Sequence, residues 1–270
     1  MHRPRPLRVA VAQFVVTADL KANFEKIERY ARRARARKAN LVLMPECCLT
    51  GYPPVTGLSL DRRTAVAVEG YLKRIQALAR QLHLWIIFGS ARPADGRWFN
   101  SAFVIRPTGR LALTYDKLHL VHGPGGDLTH FSFGQRLPVF RIGRARCAVL
   151  ICLDLRYPEP FRYLKAKGVR AVFMPFYVVG KTSRWKLPVL EGTLRCRAAE
   201  NGFYLIGSNV AGPDHAMLSR ACDPNGCSIG EAKLDRESLF VATLDLSVTS
   251  NFLYPGRRTD LFEMRAKKSL

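Results

Sequence analysis

A carboxylate, an ammonium and a thiol each stand at the end of an apolar run in this chain. The runs are Leu41-Val42-Leu43-Met44-Pro45-Glu46, Leu111-Ala112-Leu113-Thr114-Tyr115-Asp116-Lys117 and Ala148-Val149-Leu150-Ile151-Cys152. In layered α/β folds ligand sites collect at strand ends, so three such termini can converge on one pocket. Covalent amide cleavage requires these three groups: the thiol attacks the carbonyl, the carboxylate moves protons and the cation stabilises the oxyanion. Taken singly, each has a plainer role. A cysteine at a strand end is usually a small buried hydrophobe. Glu46 can cap or pair at a sheet edge, and Lys117 is one of 43 basic residues.

The elements that must position these groups alternate between strand-like and helix-like from end to end, the pattern of a layered α/β domain. Strands are predicted at Leu7–Phe14, Leu41–Met44 and Leu84–Phe88, with helices over Asn23–Lys38 and Val66–Leu82 between them. Ser101–Arg106 and Leu111–Tyr115 form a hairpin around Pro107-Thr108-Gly109-Arg110. A loop rich in Gly, Pro and His follows over about Val121–Gln135. Val139–Ile142 and Arg146–Ile151 form a second strand pair. Helices at Glu159–Lys167 and Leu187–Asn201 flank a strand at Ala171–Met174. Phe203–Ser208, a turn at Asp223-Pro224-Asn225-Gly226 and Leu239–Leu244 complete the pattern. No repeat or linker divides the 270 residues, which read as one domain.

Composition excludes several classes. The chain has no apolar run of about 18 residues to span a membrane, and its basic start lacks a convincing signal-cleavage site, so it reads as cytoplasmic. Seven cysteines without secretory context argue against a disulfide framework, and their spacing with histidine suits no zinc site, so no metal is expected. The formal charge is +22, with 43 Lys+Arg against 21 Asp+Glu. Such a field can attract polyanions, but the densest run, Arg29–Lys38, reads as a solvated helix face. No nucleic-acid-binding motif accompanies it, so no specific nucleic-acid partner is expected.

With their neighbours, the three segments resemble the carbon–nitrogen hydrolase (nitrilase-like) superfamily, in its amidase and N-carbamoyl hydrolase-like branch. Pro45-Glu46 followed by Leu49-Thr50-Gly51-Tyr52 resembles its first signature, and Tyr115-Asp116-Lys117-Leu118-His119-Leu120 its lysine segment. Leu150 to Glu159 carries the Cys-x-Asp-x-Arg-(aromatic)-Pro-Glu string of its nucleophile segment, the most specific of the matches. Weaker matches are Val11-Ala12-Gln13, Phe99-Asn100-Ser101-Ala102, Arg195 to Asn201, and Asp223 to Gly226. The resemblance runs from about Arg8 to Leu246, which sets a core of about 8–246 with a C-terminal extension.

The resemblance implies a four-layer α-β-β-α sandwich in a single domain, assembled as a homodimer or larger homo-oligomer. It also implies hydrolysis of non-peptide C–N bonds of a small amide or carbamoyl substrate, with no metal or organic cofactor. Carried over, Cys152 is the nucleophile and forms a thioester, Glu46 is the general base, and Lys117 stabilises the oxyanion with the backbone N–H near Leu153. Asp154, Arg156 and Glu159 are expected to fix the turn after Cys152 through an internal ion pair, with Glu200 and Asn201 also as scaffold. Tyr52, Leu153, Tyr177 and Trp185 are candidate substrate contacts, although packing serves Tyr177 and Trp185 equally well.

One segment departs from the pattern. Family members often place a second glutamate four residues before an aromatic in a Phe-x-x-Gly string. In Phe131-Ser132-Phe133-Gly134 the matching position is Asp127, a carboxylate shorter by about one bond, roughly 1.5 Å. If Asp127 replaces that glutamate, the flexible Gly125-Gly126 pair must carry it inward, toward Lys117 or Glu46. Otherwise it shapes the loop and faces solvent. Two functions stand side by side: an amidase or N-carbamoyl hydrolase, which Gly123-Pro124-Gly125 also resembles, and a catalytically weakened sandwich acting as a binding module.

Overall fold

The computed structural model of the chain describes residues 6–123, 125–180, 185–213 and 216–247. Pro124 of the Gly-Pro-Gly run, the first five residues and everything after residue 247 lie outside them, as does most of the expected C-terminal extension. The chain forms two six-stranded mixed sheets. The first contains, in order, β12 (Ser238–Leu244), β1 (Leu7–Gln13), β2 (Leu41–Leu43), β3 (Trp85–Ala94), β4 (Arg97–Ile105) and β5 (Leu111–Asp116). The second contains β11 (Ser228–Glu231), β10 (Arg220–Cys222), β9 (Tyr204–Ser208), β8 (Val169–Pro175), β7 (Ala145–Val149) and β6 (Val139–Ile142).

Parallel pairing at each centre, β1–β2–β3 and β7–β8–β9, buries strands on both faces. That burial is why these strands read as unbroken apolar runs rather than alternating ones. Helices α1 (Leu20–Ala36) and α3 (Arg62–Leu82) cover the outer face of the first sheet, and α4 (Pro158–Ala166) and α5 (Lys186–Asn201) that of the second. The order of layers is helix, sheet, sheet, helix. A one-turn helix, α2 (Pro53–Thr56), follows Tyr52. Among the described residues no helix is long and apolar enough to cross a membrane.

Helix starts lie earlier than periodicity predicts because caps set them. The Asp19 carboxylate accepts from the N–H groups of Lys21 and Ala22, so α1 begins at Leu20. Asp61 accepts from Thr64 N–H and starts α3 at Arg62. On α1 the predicted stripe of Phe24, Ile27, Tyr30, Ala31 and Ala34 is buried. The expected β4–β5 hairpin forms over Gly109, but a longer hairpin precedes it. There β3 turns at Asp95-Gly96, where both residues have positive φ, into β4.

Two glycines set the spacing near the strand ends. A Cβ on Gly89 of β3 would stand 2.4 Å from Cys47 N, and one on Gly134 would stand 2.0 Å from the Asp116 carbonyl oxygen. Only glycine lets β3 pass the Glu46 segment and the 131–134 strip pass the Lys117 segment this closely.

Candidate active site

The apolar runs of β2, β5 and β7 end on the same side of the sandwich, at the seam between the sheets. Glu46 follows β2, and its N–H donates to the Phe176 carbonyl just beyond β8, so the segment bridges the two sheets. Lys117 follows β5; its N–H donates to the Asn100 carbonyl and its own carbonyl accepts from Gly134. Cys152 follows β7 from the opposite sheet.

Side chains from three segments meet in the buried seam. Lys117 Nζ donates to Glu46 Oε1 at 2.8 Å and to Asp127 Oδ2 at 2.8 Å. All three are removed from solvent, with Lys117 and Glu46 at 1% exposure and Asp127 at 0%. Asp127 thus lies inward. It opens a single 3₁₀ turn, Asp127–Thr129, and its Oδ2 also accepts from Val121 N–H at 2.9 Å. Gly126 makes this reach possible: a Cβ there would meet the Val121 carbonyl at 2.4 Å. The loop therefore closes tightly enough for a shorter carboxylate to touch the lysine. Glu46 Oε2 and Asp127 Oδ1 are buried with no hydrogen-bond partner among the described residues.

Cys152 opens a tight turn, Cys152–Arg156, with φ +44°, a left-handed conformation uncommon outside glycine. The turn is locked by Asp154, and not by the internal ion pair expected of Asp154, Arg156 and Glu159. Asp154 Oδ2 accepts from Ile151 N–H at 2.8 Å and from the Tyr115 hydroxyl at 2.7 Å. Its Oδ1 accepts from His119 N–H at 3.0 Å and lies 2.7 Å from His119 Nδ1. One buried carboxylate so ties the nucleophile turn of the second sheet to the lysine segment of the first. Behind it, Arg197 of α5 donates to the carbonyls of Leu155 and Arg156, and Glu200 holds both Arg197 and Arg162.

Burial and neighbouring charge set the protonation of the site. Burial pushes the Glu46 carboxyl up; Lys117 and the Asn100 amide oppose this only in part, and Asp127 adds to it. For Lys117 burial works to lower the pKa, but Glu46, Cys152 and Asp127 outweigh it and hold the ammonium charged well above the ordinary lysine range. Burial pushes the Cys152 thiol up, and the adjacent Glu46 carboxylate pushes the same way. A protonated thiol beside a basic carboxylate and a fixed cation can transfer its proton as it attacks.

Tyr52 and Tyr177 stand together near this set, ring centroids 5.2 Å apart, in an apolar cluster with Cys47, Leu120 and Phe131. Leu153 is half-buried in the turn. Trp185 differs: it lies at the start of α5, 66% exposed, with Lys186 over its ring. The structure does not bring it into the buried set. Sequence reasoning missed Asn100 as a site residue. Asn100 Nδ2 donates to Glu46 Oε1 at 2.7 Å from the middle of β4. The available signal was an asparagine, a poor strand former, within the buried stretch of a strand. Among the described residues no group of three His, Cys, Asp or Glu side chains is placed to hold a metal ion.

The two mixed sheets share their fold with an amidase from the nitrilase superfamily, with a TM-score of 0.80. The chain belongs to the carbon–nitrogen hydrolase family, whose model matches residues 8–253. It is 32% identical to a "Hydrolase in agr operon" from Staphylococcus lugdunensis, over 78% of this chain and 89% of that one. It is 27% identical to a 2-oxoglutaramate amidase from Paenarthrobacter nicotinovorans, over 85% and 82%. Among solved structures it is similar to the amidase from Nesterenkonia sp. AN1. A double mutant of that amidase in complex with acrylamide superposes with a TM-score of 0.82 at 25% identity, covering 97% of this chain and 98% of the other. A single mutant of it shows covalent addition of the acetamide moiety of fluoroacetamide at the active site cysteine (TM-score 0.82, 25% identity, 97% of each chain). The protein is therefore an amidase-branch hydrolase acting on C–N bonds.

Proposed function

We propose that the protein hydrolyses a small linear substrate ending in an unsubstituted –C(O)NH2 group, a primary amide or an N-carbamoyl compound, and releases ammonia. The observation that carries this reading is the pair of buried carboxylate oxygens that receive no N–H donor from the described residues, Glu46 Oε2 and Asp127 Oδ1. Leaving a buried carboxylate oxygen unpaired is costly, and an amide –NH2 supplies two N–H donors for two such oxygens. A nitrile supplies none.

The Cys152 sulfur forms a bond to the carbonyl carbon while its proton passes to Glu46. Lys117 Nζ and the N–H of Leu153 stabilise the oxyanion; the first N–H groups of such a turn have no acceptor within it. Collapse breaks the C–N bond, the proton moves from Glu46 to the departing nitrogen, and ammonia leaves a thioester. Water, deprotonated by Glu46, then releases the acid and restores the thiol. Because burial raises Glu46, it is a stronger base than an exposed carboxylate. Asp127 orients the amide nitrogen, and Tyr52 and Tyr177 form the apolar wall of the pocket. Exposed Trp185, just before α5, and Val189 on it support a homo-oligomer as the working form, which light scattering of the purified protein would test.

Ammonia release across a panel of primary amides, N-carbamoyl compounds and nitriles tests the proposal. Turnover is expected for the first two classes. Nitriles turned over in preference to amides, or no turnover of any –C(O)NH2 compound, would sink it.

A further inference from the structure

We infer that Asn100 is a positioning residue that decides which oxygen of Glu46 faces the substrate and the nucleophile. This rests on the reading of Glu46 as the base. A free carboxylate has two equivalent oxygens, and a base that flips between them spends part of its time misdirected. Here the two are made unequal. Oε1 receives both Asn100 Nδ2 at 2.7 Å and Lys117 Nζ at 2.8 Å, whereas Oε2 is buried and unpartnered. The accessible lone pairs are therefore those of Oε2.

The amide is itself held in one orientation. Asn100 is fully buried, and its Oδ1 accepts from the Cys47 thiol at 3.5 Å, which leaves Nδ2 to donate to Glu46. A flipped amide would point its carbonyl at the carboxylate. The same residue also places the lysine, since the Asn100 backbone carbonyl accepts from Lys117 N–H at 2.9 Å. One β4 position thus fixes the base through its side chain and the cation through its backbone.

The groups facing Glu46 are Lys117, Asp127, Cys152, Cys47, Tyr52 and Tyr177. Against them the Asn100 hydrogen bond favours the ionised carboxylate. Removing the donor raises the Glu46 pKa, so proton abstraction fails at a higher pH than in the wild type.

The test is the rate of Cys152 alkylation by iodoacetamide as a function of pH, read by mass spectrometry, together with kcat and KM on an amide that the wild type hydrolyses. For Asn100→Ala we expect kcat to fall about 10- to 100-fold, the scale of a misplacement of about 1 Å. KM should change by less than about threefold if Asn100 acts on the base and not on the ground-state complex. The acid limb of Cys152 alkylation should move to higher pH. A folded Asn100→Ala protein with the wild-type limb and kcat would overturn the inference. So would a loss of activity traced wholly to a lower melting temperature with the limb unmoved. Should Asn100→Ala not fold, Asn100→Leu nearly keeps the shape, lacks the donor without adding a charge, and must show the same upward shift. A wild-type protein in which Cys152 resists alkylation at all pH values would instead sink the proposed function.

Discussion

The seam between the sheets and the outer face of α1 both join bases to acids, and they do so in opposite media. On α1, Arg32 pairs with Glu28 at 2.7 Å and Arg29 with Glu237 at 3.2 Å, with side chains about a third to a half exposed. In the seam Lys117 meets two carboxylates at 2.8 Å, essentially without solvent. Water screens the first set, so each pair contributes no more than about 1 kcal/mol. The second set is desolvated; its members hold one another charged or force one another neutral, and losing one strands the rest. Lys117, buried between two carboxylates, has the surroundings that give a charge leverage on chemistry, which the screened arginines of α1 lack.

That contrast ranks the expected effects of mutation. Cys152→Ala removes the attacking atom and should lower ammonia release by on the order of 10⁵-fold or more. The melting temperature should stay near wild type, because so small a deletion leaves little cavity. Residual turnover near wild type in a steady-state assay would end the covalent mechanism.

Next come Lys117→Met and Glu46→Gln, each expected to lose roughly 10²- to 10⁴-fold in kcat. Their double variant should lose far less than the product, since the two act as one constellation. Multiplicative losses would show that they do not share a pocket in solution.

Asp127→Asn keeps the shape and removes the charge. It should cost about 10- to 100-fold in kcat/KM if Asp127 orients the amide nitrogen. Wild-type kinetics for this variant would reduce the Asp127–Lys117 contact to scaffolding.

A pH profile sharpens the comparison without mutation. Burial raises Glu46, and the base must be deprotonated to act. The acid limb of kcat/KM should therefore lie above the ordinary glutamate value of about 4.3, with activity lost as pH falls through it. Lys117 stays charged beyond its ordinary range, so its titration should cause no loss below about pH 10. An acid limb at or below the ordinary glutamate value would contradict a buried base.

The smallest effect should come from the other region. Arg32→Ala and Arg35→Ala on α1 should change kcat less than twofold and stability by less than about 0.5 kcal/mol. Binding to duplex DNA should be micromolar or weaker and fade with salt, as for any basic surface without base readout. High-affinity binding that survives high salt in a titration would give the charge a function of its own.

The chain by itself determined the alternation of strands and helices and the three apolar runs that lead to the site. The layer order came from the family resemblance, and β3 runs to Ala94, six residues beyond its expected end at Phe88. The apolar runs at 41–43, 111–116 and 145–149 end where the sequence shows Glu46, Lys117 and Cys152 because backbone pairing needs only local pattern and burial. It was also enough for the family, since the motif around Cys152 is contiguous. The tertiary structure decided what each group touches. The Asp154 hub joins residues 35 to 39 positions apart, and Asn100 reaches Glu46 across 54. No local spacing encodes such contacts: the Asp154 hub exists only once two sheets are stacked, and the Asn100–Glu46 bond only once β2, β3 and β4 lie side by side in one sheet. The same is true of Asp127: an aspartate in a glycine-rich loop is ordinarily a turn former. Only the tight closure of Gly126 on Val121 turns its carboxylate inward to the lysine. Trp185 shows the converse: proximity along the chain to the pocket side left its ring in solvent. A helix start fixes where a side chain begins, and the packing of neighbouring layers fixes where it can go.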